Sequence, residues 1–124
     1  MRCAVFVATD HGVHLAEKLA GALLGTVDIY VKEGRAASPK IQRYTRLGDA
    51  VEALFTKYDA LIFCMAVGIV VRLIAPCLKS KLTDPAVVAV DEQAHYAISL
   101  LSGHVGGANR LTEDVAAALG AVPV

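Results

Sequence analysis

The sequence predicts a three-layer α/β/α sandwich whose sheet is mostly parallel, with a C-terminal antiparallel hairpin strand. Three observations predict it. Short apolar runs alternate with segments of helical period, the last two strand-like runs are separated by only three residues, and 56% of the 124 residues are hydrophobic. A chain of this length builds one core, so residues 1–124 are read as a single α/β domain.

Taken in order, "CAVFVA" (3–8) is a continuous apolar run rich in Val and Phe, the pattern of a strand buried on both faces. Thr9-Asp10 then caps a helix in which Val13, Leu15, Ala16, Leu19, Ala20 and Leu23 recur at helical spacing, and Gly25 ends it. "TVDIYVK" (26–32) alternates as a more exposed second strand, and residues 33–47 read as a loop. "DAVEALFTKY" (49–58) is an amphipathic helix, and "ALIFCM" (60–65) is a third strand buried on both faces. Gly68 opens an apolar helix that runs to about Cys77, followed by the polar loop "KSKLTDP". "AVVAVD" (86–91) and "HYAISLL" (95–101) flank only Glu92-Gln93-Ala94, which forces an antiparallel hairpin because a parallel crossover needs a dozen residues or more. Gly106 to Leu119 is the last helix, ended by Gly120, and "AVPV" begins another element.

The formal net charge is zero, so no overall field advertises nucleic acid or a membrane surface. Bases do cluster locally, as Lys32, Arg35, Lys40, Arg43 and Arg46, and again between Arg72 and Lys81. Such patches are solvated loops or contacts for an anionic small molecule. Cys3, Cys64 and Cys77 are odd in number and widely spaced, and read as reduced residues of a cytoplasmic protein. The N-terminal apolar run of about six residues is too short for a signal-peptide core. The uninterrupted apolar run from Ala60 to Val71 falls short of the roughly 20 residues a spanning helix needs.

In open α/β sheets ligands bind where strands enter helices. Three such loops carry glycine: residues 8–14 with His11 and His14, residues 65–70 with Gly68, and residues 102–109, "SGHVGGAN". None has the spacing of a nucleotide loop. His104 stands between glycines and ahead of a helix, where a neutral imidazole able to act as a general base is favoured. The alternative is a histidine bonded within a tight turn. Ser102 is the natural N-cap of the last helix. Asn109 orients either a ligand or the loop. Arg72, in an otherwise apolar helix, needs a partner: Asp84, Asp91 or a ligand carboxylate. Thr83-Asp84-Pro85 and Asp91-Glu92 are turn signatures first.

The strings "MAVGIVVRLIAP" (65–76), "KLTDPAVVAVDE" (81–92) and "SLLSGHVGGAN" (99–109), in this order and spacing, resemble the N-terminal domain of the CbiG family, the cobalt-precorrin-5A hydrolases of anaerobic cobalamin biosynthesis. The likeness is strong over residues 59–124 and architectural before that. It implies a hydrolase that opens the δ-lactone of a cobalt-bound tetrapyrrole and releases a two-carbon fragment as acetaldehyde, with no cofactor and with cobalt only as part of the substrate. By residue type, the sequence supplies parts for that chemistry: His104 as the catalytic base and backbone N–H groups around Gly106-Gly107 for the oxyanion. Arg72, Lys79 or Lys81 would meet the macrocycle's carboxylate arms. Gly68, Asp84, Ser102, Gly103 and Asn109 complete the expected substrate-binding set, with no protein ligand to the metal.

Family members continue into a C-terminal domain, which this chain lacks. That domain is an expected partner, and the many Ala, Val and Leu residues suggest a homodimer. The alternative reading is a non-catalytic domain that presents the macrocycle to a separate catalytic one.

Overall fold

The computed structural model describes residues 1–35 and 37–124. The chain folds as β1 (Arg2–Val7), α1 (Asp10–Ala22), β2 (Thr26–Lys32), β3 (Gln42–Tyr44), α2 (Leu47–Leu54), β4 (Ala60–Cys64), α3 (Val67–Ile74), a 3₁₀ turn (Ala75–Cys77), β5 (Ala86–Val90), β6 (Tyr96–Leu101), α4 (Ala108–Leu119) and β7 (Val122–Pro123). The strands form one sheet in the order β3-β2-β1-β4-β5-β6-β7. All neighbours are parallel except β5 and β6. This is the expected sandwich, with the expected hairpin.

Alternation along β1 divides the core in two. Cys3, Val5 and Val7 face α1 and α4, and Ala4 and Phe6 face α2 and α3. Phe6 stacks on Phe63 with ring centroids 5.0 Å apart and on Tyr30 at 5.3 Å, a ladder across three adjacent strands. Burying an aromatic of this size contributes about 1.5–3 kcal/mol, so the centre of the sheet carries much of the stability. Among the described residues the one side-chain ion pair is His14–Glu17 at 4.0 Å, exposed and of little energetic weight.

Thr9 caps α1 as its position suggests, its hydroxyl accepting from the Gly12 N–H at 2.9 Å. Three readings need correction. The loop expected over 33–47 contains β3, a polar three-residue edge strand with no periodicity to announce it. Its one buried side chain, Tyr44, donates its hydroxyl to the Val7 carbonyl at 2.8 Å. The helix expected to reach Cys77 stops at Ile74 and tightens into a 3₁₀ turn containing Pro76. The last helix begins at Ala108 rather than Gly106, because Gly107 takes a left-handed φ of +84° that no helix continues. Among the described residues no helix is long and apolar enough to cross a membrane.

The strand directions place the loops. Residues 8–10, 65–66 and 91–95 lie at the C-terminal edge of the parallel strands. β6 runs the other way: Ala97 sits opposite Val90 and Leu101 opposite Val87. Residues 102–107 therefore emerge at the N-terminal edge, beside the loop that leads into β5.

Candidate functional site

At this N-terminal edge two loops are stitched together. Over residues 78–85, the Asp84 carboxylate accepts from the Lys79 N–H at 3.0 and 3.2 Å and from the Ser80 N–H at 3.2 Å. The Asp84 carbonyl in turn accepts from the Ser102 hydroxyl at 3.2 Å. Asp84, Ser102 and the glycine loop thus form one unit, with Lys79 and Lys81 exposed on its rim. Asp84 is a turn-former, as its flanking Thr83 and Pro85 suggest.

The glycine loop caps its own helix. The carbonyl of Ser102 accepts from the Ala108 N–H at 3.1 Å, and that of Gly103 from the Asn109 N–H at 3.0 Å. Two of the donors that usually attract an anion to a helix N-terminus are already satisfied. Ser102 is therefore not the side-chain N-cap: its carbonyl serves the helix while its hydroxyl turns to Asp84, and Gly107 occupies the cap position. Ser102 pays for this with a φ of +57°, unfavourable for a residue with a Cβ.

The glycines follow from crowding. A Cβ on Gly106 would lie 2.5 Å from the Ser102 Cβ and 2.8 Å from its carbonyl oxygen. One on Gly103 would lie 2.6 Å from Asn109 Oδ1. That oxygen accepts the Ser99 hydroxyl at 2.6 Å and ties α4 to β6, so Asn109 orients its own scaffold. His104 is left exposed at the loop tip, with no side-chain hydrogen bond among the described residues. The Gly106 and Gly107 N–H groups likewise have no acceptor among them.

The other expected site residues separate. Gly68 sits near the start of α3, at the opposite edge of the sheet, and open space surrounds the position of a Cβ there. Arg72 lies in the later half of α3 and is exposed. The expectation that it must find a partner is wrong. Its charge is in water, and among the described residues no carboxylate comes within 4.0 Å. The suggested partners are otherwise engaged: Asp84 as above, Asp91 with the N–H groups of Gln93 at 3.2 Å and Tyr96 at 2.7 Å.

Some polar structure had no sequence signal. The Tyr58 hydroxyl donates to Asp28 at 2.6 Å and lies 2.6 Å from that of Tyr30, which joins residues far apart in the chain. Burial first, then the bond to Asp28 and the neighbouring Tyr30, push the Tyr58 phenol well above its ordinary pKa. With each partner supplied internally, this cluster is a brace. Burial also raises Cys3, and pushes Cys64 up to about 12, so neither thiol is a ready nucleophile.

Residues 49–124 match the family described as "Cobalamin synthesis G N-terminal". Two relatives named cobalt-precorrin-5A hydrolase, from Priestia megaterium and Salmonella typhimurium, are each 44% identical over 98% of this chain. The chain spans about a third of their length, 33% and 34% respectively. A crystal structure of a cobalamin biosynthesis protein G homologue from Sulfolobus solfataricus superposes with a TM-score of 0.73. It is 28% identical, and the match covers 99% of this chain and 35% of that one.

Proposed function

Since the chain belongs to the Cobalamin synthesis G N-terminal family, we propose that it serves as the N-terminal part of a cobalt-precorrin-5A hydrolase, opening the δ-lactone of a cobalt-bound tetrapyrrole so that its two-carbon fragment leaves as acetaldehyde. The observation that carries the site is the joining of two family-like strings at one edge, through the Ser102–Asp84 bond. In this reading Lys79 and Lys81 take carboxylate arms of the macrocycle. The cobalt arrives with the substrate.

The chemistry asked of the loop is acyl transfer to water. The His104 imidazole takes a proton from water as the water oxygen bonds to the lactone carbonyl carbon. The Gly106 and Gly107 N–H groups receive the developing oxyanion. Collapse breaks the acyl C–O bond; the freed alkoxide then forms the aldehyde C=O as its C–C bond to the macrocycle breaks, and the electron pair left on the ring carbon takes the proton from the imidazolium.

One observation favours a second reading. His104 has no orienting partner among the described residues, so the loop also suits a domain that presents the macrocycle to a catalytic region elsewhere in the longer family proteins. We place that region against α3. Apart from Arg72 this helix is apolar or glycine all round, and Val67, Ile69 and Val71 stand 36%, 50% and 46% exposed.

The test is to supply cobalt-precorrin-5A anaerobically to the chain alone, and to the chain together with the remaining region of a family protein. Acetaldehyde release by the chain alone, lost in His104→Ala and His104→Gln, supports the catalytic reading. Binding without release, with turnover in the mixture unaffected by His104→Ala, overturns it in favour of presentation.

A further inference from the structure

Beside the glycine loop, the C-terminal end of α1 and the face of α4 from Arg110 to Ala118 enclose a groove that none of the sequence motifs predicts. Its wider part measures about 480 Å³ and a narrower pocket about 230 Å³, and the two share Leu23, Leu24, Arg110 and Asp114. The wider part has the size of a small-molecule site. Its lining is mixed, with Leu23, Leu24 and alanines of both helices beside two charged side chains. Leu24 is 92% exposed and Met1 54%, so two large apolar side chains stand in water beside the same cleft, with Leu111 behind them. Burying such surface under a ligand is favourable.

Two charges line this cleft, Arg110 and Asp114, one helical turn apart. They do not form an ion pair: among the described residues no acid lies within 4.0 Å of the Arg110 guanidinium. A planar fork of donors beside an apolar wall suits a carboxylate carried on an apolar body. Asp114 would oppose such an anion, so the site favours a ligand with one carboxylate at Arg110 and uncharged surface along the rest of the groove. Gly107 belongs to the lining, which makes the groove continuous with the loop that carries His104.

We propose that this groove is a binding site for an amphiphilic carboxylate, with Arg110 as its anion contact and Leu23, Leu24 and Met1 as its apolar wall. A corrin ring edge bearing a carboxylate arm and a fatty carboxylate share this chemistry. The corrin occupant rests on the functional reading above, and the groove itself does not.

Isothermal titration with dicyanocobyrinic acid, and separately with decanoate, tests the assignment. Binding of at least one probe is expected, weakened tenfold or more by Arg110→Ala and partly retained in Arg110→Lys. Leu24→Ser should weaken it several-fold, and Asp114→Asn should tighten it. Lys32→Ala, which removes a charge at the far end of β2, should leave it unchanged. All are surface substitutions, and circular dichroism verifies folding. A response to cobyrinic acid alone identifies a corrin site, and a response to decanoate alone a site for chain-like acids. Binding of neither probe, or binding indifferent to Arg110→Ala and Leu24→Ser, overturns the groove and leaves the hydrolase reading standing. Conversely, Arg110-dependent binding without acetaldehyde release, either by the chain alone or in the mixture with the remaining region of a family protein, supports the groove and overturns the hydrolase reading.

Discussion

The two edges of the sheet look alike in sequence and differ in construction. At the C-terminal edge, where α/β proteins usually place their ligands, Gly68 has open space around it. At the N-terminal edge, Gly103 and Gly106 are required by close approach, Gly107 by its left-handed φ, and the loops are joined through Asp84 and Ser102. Glycine content alone therefore does not mark a site. What distinguishes the N-terminal edge is that its glycines build a close-packed loop and leave one histidine exposed outside it.

Substitutions can break this contrast, and the largest effect is expected at Gly106. Gly106→Ala pushes a methyl into Ser102 backbone and should cost about 3 kcal/mol, the upper range for overpacking, visible as a lowered midpoint in thermal unfolding. A loss below about 0.5 kcal/mol would mean that the loop yields and is not rigid. Asp84→Ala removes the acceptor for two backbone N–H groups and should cost about 2 kcal/mol. It should also speed amide exchange at Lys79 and Ser80, and unchanged exchange there would separate the two loops. The smallest effect belongs to the other edge. Gly68→Ala adds a methyl in open space within a helix and should stabilise by about 0.5 kcal/mol. If it abolishes corrinoid binding while the fold is intact, the site is at the C-terminal edge after all.

The parts of the fold legible in the sequence were those written in local patterns. The buried strands "CAVFVA" and "ALIFC", the cap at Thr9 and the hairpin around Glu92-Gln93-Ala94 all follow from burial period, capping chemistry or loop length. β3 was hidden because three polar edge residues have no period, and its pairing with β2 is decided by tertiary contact. The site was half legible. The strings nominated His104, Ser102 and Asp84, yet chemistry alone misassigned Ser102 as a side-chain cap and Arg72 as a buried charge. Both errors have one cause: a hydroxyl's acceptor and a helix's outer face are fixed by neighbours distant in sequence. The same holds for Arg110 on α4 and Leu24 in the turn after α1, which meet only in the fold.

The central claim is that this chain meets its ligand at the N-terminal edge of its sheet. Amide chemical-shift mapping of the ¹⁵N-labelled chain, titrated with diamagnetic dicyanocobyrinic acid, tests it most directly. The account predicts the largest shifts at Gly103–Arg110 and at Lys79–Lys81, with Thr9–Gly12 and Val67–Ile69 unmoved. Shifts centred on Thr9–Gly12 and Val67–Ile69, with the glycine loop silent, would contradict it.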